Sequence, residues 1–291
     1  MCIDSTTESR CVSVIKKFLG IAAIVLFMAA IVLFTVYPVI YTLLGSFKTN
    51  MELQAGGSFF PEKWMFSNYV KAFKEAQFID YTWNSVVLSA LTMVASVLTS
   101  SMAGFIIARY EFAGKKALVA AYLSVMFIAL GPITLYPQYL LMNAVGLTGN
   151  LLGLALVLTG GQASNIFLVT GFIKSVPKEL DESALMDGAS HFRIYCSIML
   201  PLIRPILGVV ALFSFRLAWN DYITALVFSI PNPAIKPLTV AVVGLRYSAN
   251  AAAEWHIMTA GAAIALIPIL LVYIFTNRQF ISGLTSGAVK G

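Results

Sequence analysis

PKELDESALMDGASHFRIYCSIMLPLIRP, residues 177–205, lies between two long apolar segments. It is a charged, helix-forming insert broken by a glycine, set in a strongly apolar chain. Connections between packed helices need only about 2–8 residues. This one is far longer and has internal architecture, as expected of a segment gripped from outside the bilayer.

The residues suggest how it folds. Ser175 can cap a helix whose first turn contains Pro177, where a missing N–H costs least. Glu179, Asp181 and Glu182 place negative charge at the amino end, as the helix dipole favours. Leu180 and Ala184 share one face; Glu179, Glu182 and Met186 share the opposite one. Gly188 suits a left-handed stop. Ser190 can cap a second helix running toward Leu200, and Pro201 is expected to break it. From these residues alone the segment is either a lever held at the membrane surface or a solvated interfacial loop.

Working outward, the composition defines the class. Hydrophobic residues make up 59% of the 291 and charged residues 11%, whereas a soluble domain carries about 25% charged residues. The apolar runs are long and unbroken rather than alternating, which points to an all-α membrane protein and away from a β-barrel. Six transmembrane helices are expected, roughly 18–44, 85–108, 117–142, 151–173, 203–230 and 255–276. At 1.5 Å per residue each can cross a hydrocarbon core of about 30 Å. The first is too long for a signal peptide and lacks a small-residue cleavage site, so it reads as a retained anchor.

Basic residues set the orientation. With the amino terminus inside, the cytoplasmic segments carry Arg10, Lys16, Lys17, Arg109, Lys115, Lys116, Lys174, Lys178, Arg193, Arg204, Arg278 and Lys290. The outer segments carry Lys48, Lys63, Lys71, Lys74, Lys236 and Arg246, leaving Arg216 inside a span. Loop 175–205 and both termini are therefore expected in the cytoplasm. The net charge of +6 reflects this bias and is no sign of nucleic acid. Cys2, Cys11 and Cys196 fall on the reducing side, which disfavours disulfides. His191 and His256 are too far apart in sequence to suggest a metal site. No phosphate-binding G-x-x-x-x-G-K-[ST] motif occurs, and the spans hold no relay of acids. The chain is thus a passive pore or is driven by a separate cytoplasmic protein.

Loop 177–205 also resembles the cytoplasmic EAA loop of binding-protein-dependent ABC importers. Glu182-Ser183-Ala184 stands for the acid-alanine-alanine triplet, with Ser183 the one departure. Asp187-Gly188-Ala189 and Ile198-Met199-Leu200-Pro201 follow in order. The stretch Pro38 to Ser46-Phe47-Lys48, Asn84-Ser85, Ala108-Arg109-Tyr110 with Phe112-Ala113-Gly114-Lys115, and Trp219-Asn220-Asp221 resemble the maltose-type branch. The ending Gln279-Phe280-Ile281-Ser282-Gly283-Leu284 with Gly287-Ala288-Val289-Lys290-Gly291 is similar to the tail of its shorter permease subunit.

The resemblance implies a type I ABC importer permease fold. Its parts would be a cytoplasmic tail (1–17), a first helix (18–44), an external loop (45–82), a permease core (83–276) with coupling loop 175–205 and external loop 230–254, and a cytoplasmic tail (277–291). It implies a non-catalytic subunit in a bacterial or archaeal cytoplasmic membrane. The chain itself would carry no cofactor, with ATP and Mg on a partner ATPase. The partners would be a second homologous permease, two copies of that ATPase and an extracytoplasmic sugar-binding protein. Glu182, Ala184, Asp187, Gly188, Ala189, Leu200 and Pro201 would couple to the ATPase: Glu182 by pairing with a base, Gly188 by permitting the turn, Leu200 and Pro201 by anchoring the return. The tail after Thr276 is also expected to contact the ATPase.

Outside, the aromatic stretch around Phe59, Phe60, Trp64 and Phe66 and the segment 230–254 are candidate contacts for the binding protein, the later one preferred; headgroup-level aromatics are the alternative. Arg216, Trp219, Asn220 and Asp221 are candidates for the substrate pathway or a gate. Arg216 and Asp221 lie about 140° apart around a helix, so they are not a simple pair, whereas Arg216 and Asn220 share a face. Subunit packing is the competing reading, as helix packing is for Thr159-Gly160-Gly161-Gln162. An ABC permease for an amino acid, peptide or sugar phosphate is the nearest alternative function. An ion-coupled secondary transporter would need internal repeats and a coupling-ion site, which the sequence lacks.

Overall fold

A helix of 32 residues, Phe78–Arg109, forms the spine of the computed structural model. The structure describes residues 5–127, 131–246 and 253–288, with backbone only for 5–17, 125, 127 and 275–288. In chain order the helices are α1 (Ser5–Gly45), α2 (Asn50–Ala55), α3 (Ser67–Glu75), α4 (Phe78–Arg109), α5 (Lys115–Phe127), α6 (Leu135–Ala144), α7 (Leu151–Gly160) and α8 (Ala163–Ser175). Then follow α9 (Glu179–Met186), α10 (His191–Ile194), α11 (Leu200–Leu202), α12 (Arg204–Asn220), α13 (Ile223–Ser229), α14 (Leu238–Gly244) and α15 (Trp255–Ala288). No strand is present among the described residues.

The centre of the fold follows from small residues on α4. Ser85, Ser89, Thr92, Ser96 and Ser100 recur every three or four positions and are buried. With little hydrophobic drive between helices in lipid, such a stripe lets backbones approach closely. At Gly104 the approach is close: an added Cβ would lie 2.8 Å from Val169 Cγ1 on α8. α7, α8 and α12 pack around α4, while α15 packs on α12, α3 and α1. The apolar face of α1 is exposed along the whole of Phe18–Tyr37, as suits a helix at the lipid boundary.

The continuity of the expected spans is what the structure changes. By length and composition α1 (from Phe18), α4 and α15 (to Ile274) can each cross a membrane alone. The expected third span is divided into α5 and α6, with a 3-10 turn at Gly131–Thr134. The fourth is bent by 59° between α7 and α8. The fifth is divided at Asp221–Tyr222 between α12 and α13. The sixth runs on as helix through Ala288 into the expected tail; Val289-Lys290-Gly291 lie outside the described residues, as do 1–4 and 247–252.

Within segment 230–254, residues Leu238–Gly244 form a helix packed into the core rather than a surface loop. Leu238, Val240 and Val242 of α14 are buried. The Leu238 N–H donates to Ser85 Oγ at 2.8 Å, and the Asn84 amide donates to the carbonyls of Ala234 and Lys236.

Candidate functional site

The loop between α8 and α12 folds as a plate across the ends of α4, α8 and α12. α9 carries Glu179, Asp181 and Glu182 in its first turn. The expected Ser175 cap is corrected: Ser175 closes α8 and donates back to Phe172 O at 2.7 Å. Val176 is extended, Pro177 lies outside both helices, and α9 begins after Lys178 with no side-chain cap. α9 ends as expected, with Gly188 at φ +76°. The Ala189 N–H bonds Ala184 O at 2.9 Å and the Gly188 N–H bonds Leu185 O at 3.0 Å, the double closure of a glycine-terminated helix. Ser190 caps α10, accepting from the Arg193 N–H at 3.3 Å.

Pro201 does not break the second helix where expected. Residues Tyr195–Met199 form a π-turn that leads directly into α11, with Pro201 inside it. A wider turn accommodates the missing N–H of proline. The break comes at Ile203, fully buried, where the chain turns by 80° into α12.

What seats the plate is a buried cluster under it. Ala184, Ile194, Tyr195, Met199 and Ile203 pack with Phe105 of α4, Val169 and Ile173 of α8, and Ile206 and Val209 of α12; Ala189 and Leu200 join its rim. Tyr195 Oη is 2.7 Å from Ser101 Oγ in the interior, and Tyr110 Oη is 2.9 Å from His191 Nδ1 at the edge. Burial together with the Asp181 carboxylate pushes the Tyr110 phenol up, so it remains a proton donor at neutral pH. Asp181 turns inward to Arg109 at the end of α4, an ion pair of 2.5 Å. The outer face carries Glu179, Glu182 and Asp187, all exposed, beside Met186 at 89% and Phe192 at 69% exposure.

The fifth-span candidates separate. Trp219 is buried and stacks on Phe215 at 5.6 Å. Asp221 fastens the start of α13, accepting from Thr224 Oγ1 at 3.0 Å and from the Ala225 N–H at 2.7 Å. Arg216 and Asn220 are exposed on the face of α12 that also exposes Phe213 and Leu217. An arginine within a span is costly in lipid, so this face meets protein or water.

Thr159-Gly160-Gly161-Gln162 marks the fourth-span bend. Gln162, buried, donates to Ser96 Oγ at 2.9 Å and accepts from Ser214 Oγ at 2.7 Å and from the Asn165 amide. It thereby ties α4, α8 and α12 together. Outside, Lys71 of α3 bonds both carboxylate oxygens of Glu254, at 3.0 and 2.9 Å. The Asn50 side chain donates to Ala253 O and accepts from the Trp255 N–H. Arg246 stacks on the Trp255 ring at 4.0 Å. Segment 45–82 therefore braces the carboxyl end of segment 230–254, and Asn84 of α4 holds its other end. Phe59, Phe60, Trp64 and Phe66 are each more than one-third exposed.

The sequence reading missed Arg109–Asp181, Tyr110–His191 and Lys71–Glu254, all joining residues far apart in the chain. The serine stripe of α4 was legible as a period of three and four.

The chain is thus a helical membrane protein with interrupted spans, a plate seated on the ends of α4, α8 and α12, and a braced segment 230–254. Residues 100–285 match the family described as binding-protein-dependent transport system inner membrane component, and the chain belongs to that family. It is 32% identical over 235 residues to a maltodextrin transport system permease protein of Bacillus subtilis, covering 80% of this chain and 83% of that one. It is 34% identical over 230 residues to a maltodextrin transport system permease protein of Streptococcus pneumoniae (78% and 80%). It is 32% identical over 237 residues to a trehalose transport system permease protein of Mycobacterium tuberculosis (81% and 85%). Among solved structures, a chain of a bacterial ABC transporter involved in alginate import superposes with a TM-score of 0.72 at 22% identity, covering 96% of this chain and all of that one. This confirms the fold. The chain is thus a non-catalytic inner-membrane permease component, ATP hydrolysis belonging to a separate subunit and the substrate-binding protein being a further partner.

Proposed function

We propose that this chain is half of the translocation pathway of an ATP-driven importer for a sugar or oligosaccharide. It works beside a second, homologous permease, on two copies of an ATPase that bind ATP and Mg, and below an extracytoplasmic sugar-binding protein. Both termini and the plate of α9–α11 lie in the cytoplasm. The sugar-transporting relatives support the cargo class. The single observation that carries the mechanism is the plate itself: Ala184 buried, Glu182 and Met186 exposed, and the whole seated on the ends of α4, α8 and α12.

Force applied to the outer face passes to those helices because packed interiors transmit strain rather than absorb it. Glu182 offers a carboxylate to a basic group on the ATPase, and Met186 an adaptable apolar anchor. Gly188 supplies the turn, with Asp187 and Ala189 beside it, while Leu200 and Pro201 return the chain to the membrane. Arg216 and Asn220 line the path between the two permeases, and Trp219 and Asp221 hold that stretch of backbone in place.

The test is ATP hydrolysis and sugar uptake by the reconstituted complex with its binding protein, for the native chain and Glu182→Ala. Stimulation of hydrolysis by sugar-loaded binding protein, with uptake lost in the variant while it still inserts, is the expected result. Normal uptake by Glu182→Ala would remove the lever role.

A further inference from the structure

Irregular backbone at membrane depth persists only where protein buries it or where it lines a water-filled cavity. At the fourth-span bend Gln162 is buried in its hydrogen bonds, while Gly160 and Gly161 are exposed. The third- and fifth-span breaks open onto one cleft of about 510 Å³.

Gly131, Thr134 and Gln138 form one wall, and Asn220, Asp221 and Tyr222 the other. The volume is in the range of small-molecule sites, about 300–1,000 Å³.

The lining sets the ligand chemistry. Two primary amides, three hydroxyls and one carboxylate combine donors with acceptors, as a polyhydroxyl ring requires. Asn220 uses its amide nitrogen on Arg216 O at 2.8 Å, which leaves its oxygen to accept. Each Asp221 oxygen receives one bond within the chain and keeps acceptor capacity. None of the residues lining the cleft is cationic, which disfavours a phosphorylated or acidic ligand.

We propose that this cleft is a subsite for one ring of a neutral sugar, so that this permease itself touches the cargo between the third and fifth spans. The proposal rests on the reading of the Arg216–Asn220 face as part of the path.

The test is cysteine labelling in the full reconstituted complex. Cys2, Cys11 and Cys196 are changed to serine and Gln138→Cys is introduced, with Thr134→Cys on the same wall used if that variant does not assemble. The probe is whichever of maltotriose, raffinose and trehalose stimulates ATP hydrolysis. A charged, membrane-impermeant thiol reagent should label the cysteine, and a nine-tenths-filled site should slow labelling about tenfold. Labelling without protection would overturn the subsite while leaving the path reading intact. No labelling there or at Asn220→Cys would overturn both.

Discussion

Arg109 at the end of α4 and Asp181 in the first turn of α9 stand 72 positions apart in the chain and form an ion pair of 2.5 Å, with side chains 4% and 15% exposed. The same guanidinium donates to Val176 O at 3.0 Å. One residue of the spine therefore holds both the link into the plate and the plate's first helix. The acids of α9 divide accordingly: Asp181 faces inward as an anchor, while Glu179 and Glu182 face outward.

Removing one partner of a buried pair leaves the other charge uncompensated, at about 3–5 kcal/mol. Arg109→Ala and Asp181→Ala are therefore expected to loosen the plate and reduce co-purification of the ATPase with an otherwise inserted permease. The reversed pair, Arg109→Asp with Asp181→Arg, should recover part of that loss. Equal recovery of ATPase with all variants would show that the pair does not position the plate.

Gly188 is required for its backbone conformation, since a Cβ there would meet no atom within 4 Å. At φ +76° alanine costs about 1–2 kcal/mol, whereas asparagine visits this region routinely. Gly188→Ala should raise the ATP consumed per sugar carried, and Gly188→Asn should stay near the native ratio. The ratio measured in proteoliposomes decides; identical behaviour of the two variants would mean that the turn's handedness is unimportant.

Gln162→Leu withdraws the partner of Ser96, Ser214 and Asn165 at the fourth-span bend. Buried polar groups left unsatisfied cost about 1–3 kcal/mol. The variant should unfold at lower temperature in detergent, and Gln162→Glu, which keeps the acceptors, should lose less. A leucine variant as stable as the native chain would mean that apolar packing alone holds the bend.

Between α3 and segment 230–254, hydrogen bonding to Glu254 raises the Lys71 pKa, against the opposing effect of desolvation. A raised lysine contributes stability below its unfolded pKa and loses it as pH rises through the folded value. The brace is thus expected to hold throughout the neutral range and to weaken only in strong alkali. Lys71 is 43% exposed, so the pair is worth at most about 1 kcal/mol, and Lys71→Ala should weaken binding-protein affinity less than about fivefold. Titration of binding protein against stimulated hydrolysis measures it; a much larger loss would make Lys71 a direct contact.

The amino-acid sequence by itself determined that this is a helical membrane protein, where its apolar segments lie, and that residues 177–205 form two helices around Gly188. These follow from local rules: apolar length against bilayer thickness, the charge preference of a helix's amino end, and the tolerance of glycine for positive φ. Only the tertiary structure decided which acid faces inward, where Pro201 is absorbed, and which spans break. Arg109 has no local reason to choose Asp181, and Gly131 or Asp221 can interrupt a helix only because neighbouring chain or a cleft receives the freed backbone. Such outcomes depend on packing between residues far apart in the chain, and no window along the sequence contains them.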